Sequence, residues 1–179
     1  MSQNKYTQKS LEAIQQAQNL AGEFANQTLE QAHLLSALTQ DADSLISQLL
    51  GRMGKDAQGV SQNARDEVER LPRVRGGARE EGKTYVSQDM DRALREAANA
   101  AERMKDEYVS VEHLFLGLLR APDRGIAALL KRFDIREDSF LQALSQVRGA
   151  ARVTSETPED SYDALNKYGT DLTMLARNQ

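Results

Sequence analysis

Val109-Ser-Val-Glu-His-Leu-Phe-Leu-Gly-Leu-Leu119 and Leu29-Glu-Gln-Ala-His-Leu-Leu-Ser-Ala-Leu38 decide the fold, because they are one segment written twice, 80 residues apart. The chain's two histidines, His33 and His113, fall on each other in that register, as do Leu34 with Leu114 and Leu38 with Leu118. Downstream, Ile46 meets Ile126 and Leu49-Leu50 meets Leu129-Leu130; upstream, Ala13, Ala17 and Ala21 meet Ala93, Ala97 and Ala101. The register runs without a gap from Tyr6 to Gly54. Of its 49 pairs 13 are identical, where average composition gives about 3. Thr7 with Ser87, Ile14 with Leu94 and Leu35 with Phe115 add conservative pairs. The chain is an internal duplication.

Each copy reads as four helices. Thr7 and Ser87 are N-caps, since a side-chain hydroxyl accepts from a free backbone N–H. The helices they open cover about 8–21 and 88–104, and the alanine spacing gives each a narrow face for close packing. Short helices follow at about 30–40 and 111–120, the second opened by Ser110. Asp43 and Asp123 stand as N-caps before apolar helices at about 44–53 and 124–133. Fourth helices cover about 56–70 and 136–148, and Pro72 ends the first of them.

A copy of about 65 residues is near the lower limit for burying a core alone. The expected fold is therefore all-α: two pseudo-twofold-related four-helix repeats packed as one domain, 1–148. Repeat 1 covers about 6–71 and repeat 2 about 85–148, joined by a mobile Gly- and charge-rich loop at 72–84. The polar stretch 149–160 reads as a flexible linker. A short C-terminal helix at about 161–167 follows, and the chain is expected to stop inside a longer protein.

The 179 residues carry 40% hydrophobic and 28% charged side chains, a globular composition. The net charge of −4 argues against a nucleic-acid surface, which needs a clustered basic excess. No apolar run is long enough to span a bilayer, and Met1 to Gln8 lacks the apolar core of a signal peptide. With zero cysteines there is no thiolate chemistry, and the cytoplasm is the default compartment.

Gly77-Ala-Arg-Glu-Glu-Gly82-Lys83-Thr84 matches the phosphate-loop pattern. The pattern works only between a buried strand and a helix N-terminus. No apolar strand precedes it, the next helix starts near Ser87, and Glu80 and Glu81 would put negative charge inside a phosphate cradle. It is read as a charged loop. The histidines invite a metal or acid–base role. Yet each copy has only one, without a carboxylate at i, i+4, and the adjacent Glu112 and His113 point away from a common face. They are read as structurally satisfied, and no catalytic residue or metal ligand is assigned. The alanine and leucine stripes are core, unless some line a groove for extended apolar polypeptide.

The two histidine segments, with Lys5-Tyr-Thr-Gln-Lys-Ser-Leu-Glu-Ala-Ile14, strongly resemble the Clp N-terminal repeat. Ala164-Leu-Asn-Lys-Tyr-Gly-Thr-Asp-Leu-Thr-Met-Leu-Ala-Arg177 resembles the junction at which ClpB-type disaggregases enter their first ATPase domain, so 161–179 is expected to begin that junction. The resemblance implies a cytoplasmic, hexameric ATPase, using ATP and magnesium outside this fragment, that threads aggregated polypeptides with a cytosolic chaperone partner. The fragment itself is expected to be a monomer without cofactor. It would recognise exposed apolar segments of unfolded or aggregated proteins, or alternatively dock a folded adaptor, as in protease-linked Clp chaperones. The family's functional surface positions match Thr7, Asp106 and Glu112. In the first copy Ala32 and Glu30 replace Glu112 and Ser110, so no polar site beyond Thr7 is expected there.

Overall fold

A computed structural model describes residues 5–74, 84–149 and 151–159. The phosphate-loop match apart from Thr84, most of the inter-repeat loop, the helix expected at 161–167 and the junction segment lie outside them. Eight helices occur among the described residues. Repeat 1 comprises α1 (Gln8–Glu23), α2 (Gln31–Thr39), α3 (Leu45–Arg52) and α4 (Ala57–Arg70). Repeat 2 comprises α5 (Gln88–Arg103), α6 (Val111–Arg120), α7 (Arg124–Arg132) and α8 (Glu137–Arg148).

Capping explains most of the boundaries. The Thr7 and Ser87 side chains accept from the N–H groups of Ser10 and Met90, and Asp123 accepts from Ile126. Asp43 does not cap α3. Ser44 does, accepting from Ser47 N–H at 3.2 Å, while the Asp43 N–H is held by the Asp41 carboxylate at 2.9 Å. The extra hydroxyl in repeat 1, where repeat 2 has Arg124, moves the cap by one residue.

The buried stripe of α1 is Ser10, Ala13, Ala17 and Ala21, and that of α5 is Met90, Ala93, Ala97, Ala100 and Ala101. Small side chains let α2 and α6 pack closely on these faces. The approach is tightest at Gly117, where a Cβ would lie 2.1 Å from the Ala93 carbonyl oxygen. Behind α2 and α6 one continuous core runs through both repeats, from Leu34, Leu35 and Leu49 to Phe115 and Phe140, whose ring centroids lie 4.7 Å apart with the planes tilted by 39°.

The repeats also exchange short extended segments. β1 (Thr28–Leu29) pairs in parallel with β2 (Tyr85–Val86), in the register Thr28 to Tyr85 and Leu29 to Val86. Tyr6 bridges Val109 in the same sense, which is the pseudo-twofold image of the Leu29–Val86 pair. Ser87 N–H donates to Leu29 C=O at 3.2 Å, and Thr7 N–H to Val109 C=O at 3.1 Å. Each repeat's leading segment thus satisfies backbone groups of the other.

Residues 151–159, expected as a flexible linker, are instead packed against the domain. Val153 is fully buried. The Val153 carbonyl accepts from Glu107 N–H at 2.8 Å, and the Glu156 carbonyl accepts from Gln8 N–H at 2.8 Å. Gln8 is the first residue of α1, whose leading N–H groups have no partner within the helix.

Candidate functional site

The two histidines close the N-termini of α2 and α6 in the same way. Glu30 N–H donates to His33 Nδ1 and Ser110 N–H to His113 Nδ1, each at 2.9 Å. Nδ1 is therefore an acceptor in both rings and the proton sits on Nε2. His33 Nε2–H donates to Asn26 Oδ1 at 2.9 Å, and His113 Nε2–H to Asp106 Oδ2 at 2.8 Å. Burial pushes His33 down to about 4, only partly offset by its backbone bond at Glu30, so it is neutral at physiological pH.

Thr7, Asp106 and Glu112, expected on the surface, have fully buried side chains. What covers them is the chain leaving α8. Arg148, at the end of that helix, pairs with Asp106 through Nη2 and reaches Glu112 Oε2 through Nη1 at 3.5 Å. Val153 N–H donates to Asp106 Oδ1 at 2.9 Å. The Thr7 hydroxyl donates to Glu159 Oε2 at 2.6 Å while accepting from Ser10 N–H. Burial alone would raise Asp106, but the bonds from His113 and Arg148 outweigh it and hold the carboxyl below its usual range. Glu112 Oε1 is buried without a hydrogen-bond partner among the described residues. The three residues thus share one job in this structure, which is to fasten Arg148–Glu159 across the domain as a strap. The signal available in sequence was the second copy's carboxylates at 106 and 112, where the first has Asn26 and Ala32. Their partner, Val68 in the first copy and Arg148 in the second, is legible only once the register is carried into α8.

Beside the strap lies a cleft of about 240 Å³ between α1 and the turn from α2 to α3. Its apolar lining includes Ala13, Ala37, Leu38, Ile46 and Val111. Lys9 also lines it, with the acidic side chains of Glu12, Asp41, Asp43 and the buried Glu159. The last of these is the far end of the strap. A wider depression of about 410 Å³ lies beside Ser36, Thr39, Ala42, Ala57 and Gln62.

The family model of the Clp repeat N-terminal domain matches residues 5–133. The chain belongs to the Clp repeat N-terminal domain family. It is 39% identical over 178 residues, 99% of its length, to the chaperone protein ClpB of Nitratidesulfovibrio vulgaris, and 39% identical over 178 residues to that of Bacillus cereus. It spans about a fifth of the length of these ClpB relatives, 21% and 20% respectively. The Hsp104 N-terminal domain of Candida albicans shares its fold, with a TM-score of 0.75 at 21% identity, over 87% of this chain and 99% of that one. So does a ClpV N-domain solved in complex with a VipB peptide, with a TM-score of 0.60 at 17% identity, over 79% and 88%. The all-α architecture of two four-helix repeats expected from the duplication, and the Clp N-domain fold implied by the resemblance, are those observed. No helix among the described residues is long and apolar enough to cross a membrane.

Proposed function

We propose that this chain is the substrate-recognising N-terminal domain of an ATP-driven, ClpB-type disaggregase, and that the cleft beside α1 seats exposed apolar segments of unfolded or aggregated proteins. The cleft carries the reading. It sets the apolar side chains of Ala13, Ala37, Leu38, Ile46 and Val111 beside the charged groups of Lys9, Glu12, Asp41 and Asp43. Such a lining suits weak, reversible capture, as a recruiter needs. The peptide-bound ClpV N-domain supports the fold's suitability for holding a peptide.

In this reading the other four-fifths of the protein supplies the ATP and magnesium sites and the hexamer contacts, and works in the cytoplasm with a chaperone partner. Thr7, Asp106 and Glu112 serve substrate handling through the strap, by setting Glu159 at the cleft wall, rather than by touching the polypeptide. Docking of a folded adaptor is the second reading. The half-exposed Tyr85 and Val86 on β2, away from the cleft lining, favour it as a further contact surface.

The test is a titration of the 179-residue chain with an unfolded apolar model protein, followed by amide NMR. Shifts centred on Ala13, Ala37 and Val111 are expected. Shifts confined to Tyr85 and Val86, or none at millimolar concentration, would overturn the cleft reading.

A further inference from the structure

We infer that an occupied cleft and a docked strap stabilise each other, so that a captured segment pins the strap and shortens the tether between this domain and the rest of the protein. The coupling takes the cleft as the polypeptide site and adds its regulation.

The strap is fastened at two places and bare between them. At its start Asp106 holds Arg148 and the Val153 N–H, and Val153 is fully buried. At its end Glu159 is buried and accepts from the Thr7 hydroxyl, while the Glu156 carbonyl accepts from Gln8 N–H. Thr154, Ser155, Glu156 and Thr157 are exposed. A segment held by a few point contacts opens at lower cost than the core beneath it.

The end anchor is shared with the cleft. Among the described residues Glu159 is the one member of the strap that lines it. Thr7, which holds Glu159, caps the same helix that supplies Lys9, Glu12, Ala13 and Gln16 to the lining. Lifting the strap removes Glu159 from the wall and bares two polar groups at that end of α1, the Thr7 hydroxyl and the Gln8 N–H. A seated segment has Glu159 to pack against only while the strap is docked. A ligand shifts a two-state equilibrium through contacts it makes in one state alone, so occupancy favours docking. Linkage makes the effect reciprocal, and docking favours occupancy by the same factor.

The consequence is a change of reach. Released, residues 149–159 extend up to about 35 Å, at about 3.3 Å per residue. Docked, they lie against the domain with Glu159 at the cleft, and the chain continues from beside the captured segment. Capture thus draws that segment toward whatever follows Glu159 in the sequence.

The experiment measures native-state amide exchange of the full 179-residue chain, without and with a saturating short synthetic peptide of leucine, valine and serine. The Gln8 and Glu107 amides bond to the strap, and neither residue lines the cleft. Their exchange is expected to slow several-fold with peptide. The Tyr85 and Ser87 amides, bonded to Gln27 and Leu29 across the repeats, should slow less. Glu159→Ala removes the shared wall and leaves the Asp106 anchor. In it the peptide is expected to bind several-fold more weakly, and at saturation to leave exchange at Gln8 and Glu107 unchanged. Shifts of the cleft amides Ala13, Ala37 and Val111 without slowing at Gln8 and Glu107 overturn the coupling while the cleft reading survives. Equal slowing at all four amides, or slowing that persists in Glu159→Ala, overturns it as well. If the peptide shifts no cleft amide, both fail. Should Glu159→Ala not fold, the four amides of the parent chain decide alone.

Discussion

The two repeats share a backbone plan but differ in what stands opposite the buried histidine and what fills the angle beside the first helix. In repeat 1, His33 faces the neutral amide of Asn26, and Val68 fills the place of Arg148. In repeat 2, His113 faces Asp106, which also holds Arg148 and the Val153 backbone. Conversely, Gln31 of repeat 1 donates to the Asp89 and Ala121 carbonyls and accepts from the Asp123 N–H of repeat 2, whereas its counterpart Val111 offers no amide and lines the cleft of repeat 1. Duplication let one copy keep the strap and the other the cleft.

The largest effect is expected from breaking the charged side of this comparison. Asp106→Ala leaves the buried Arg148 guanidinium beside Glu112 at 3.5 Å without its closest carboxylate, and removal of one partner from a buried pair costs about 3–5 kcal/mol. The counterpart Asn26→Ala strands no charge and should cost about 1–2 kcal/mol. Urea unfolding of both variants measures the gap. Equal losses would mean that the Arg148 pairing contributes nothing beyond an ordinary hydrogen bond.

Helix approach separates the repeats next. Gly117→Ala drives a methyl into the Ala93 carbonyl, 2.1 Å away, and α5 and α6 must part; overpacking of this kind costs about 3 kcal/mol. Ala37→Gly at the equivalent site should cost only about 0.5–1 kcal/mol, the helix-interior penalty of glycine. Denaturation midpoints of the two variants decide it.

The histidine environments predict different acid windows. Folded His33 titrates at about 4 and the unfolded side chain near about 6.5. Between those values the unfolded chain binds the proton and the folded chain does not, so stability falls as pH is lowered from about 6.5 to about 4, by roughly 3 kcal/mol. Asp106 is held below its usual range. Its contribution is complete above the unfolded carboxylate value near about 3.9, and is lost only as pH falls further through the folded one. His33→Gln should therefore flatten the upper window and leave the lower intact. An unchanged slope between pH 6.5 and 4 in that variant would remove His33 as its source.

What the sequence made legible follows from which interactions are local. Helix starts at Thr7, Ser87 and Asp123 depend on a side chain bonding three residues away, and the structure has them where the caps stand. The one misplaced cap, Asp43 for Ser44, came from carrying the second copy's residue back onto a first copy that has a competing hydroxyl. The core stripes were legible because helical period and burial coincide. The strap was not. Its bonds span up to 152 residues, Thr7 to Glu159, and a polar, proline-bearing stretch has the same composition whether it is solvated or pinned by buried carboxylates. Gln31 was equally silent, since a glutamine at the start of a helix reads as solvated until its three partners across the domain are seen.

The smallest effect tests the strap against simple capping. Thr7 and Ser87 are equivalent N-caps, each accepting from the third residue of its helix, and loss of either cap should cost about 1 kcal/mol. Among the described residues the Thr7 hydroxyl, besides lying 3.0 Å from Ser10 Oγ, also reaches the strap at Glu159. Thr7→Ala and Ser87→Ala should thus unfold at similar denaturant concentrations, yet differ in native-state amide exchange. In Thr7→Ala the N–H groups of Gln8 and Glu107, bonded to Glu156 and Val153, should exchange several-fold faster, because the strap opens without global unfolding. In Ser87→Ala they should keep the parent rate. Combining Thr7→Ala with Glu159→Gln should add little further acceleration, since both remove one contact. If exchange at Gln8 and Glu107 rises equally in both single variants, Thr7 acts as a cap alone and the strap is held by Asp106 and its partners without it.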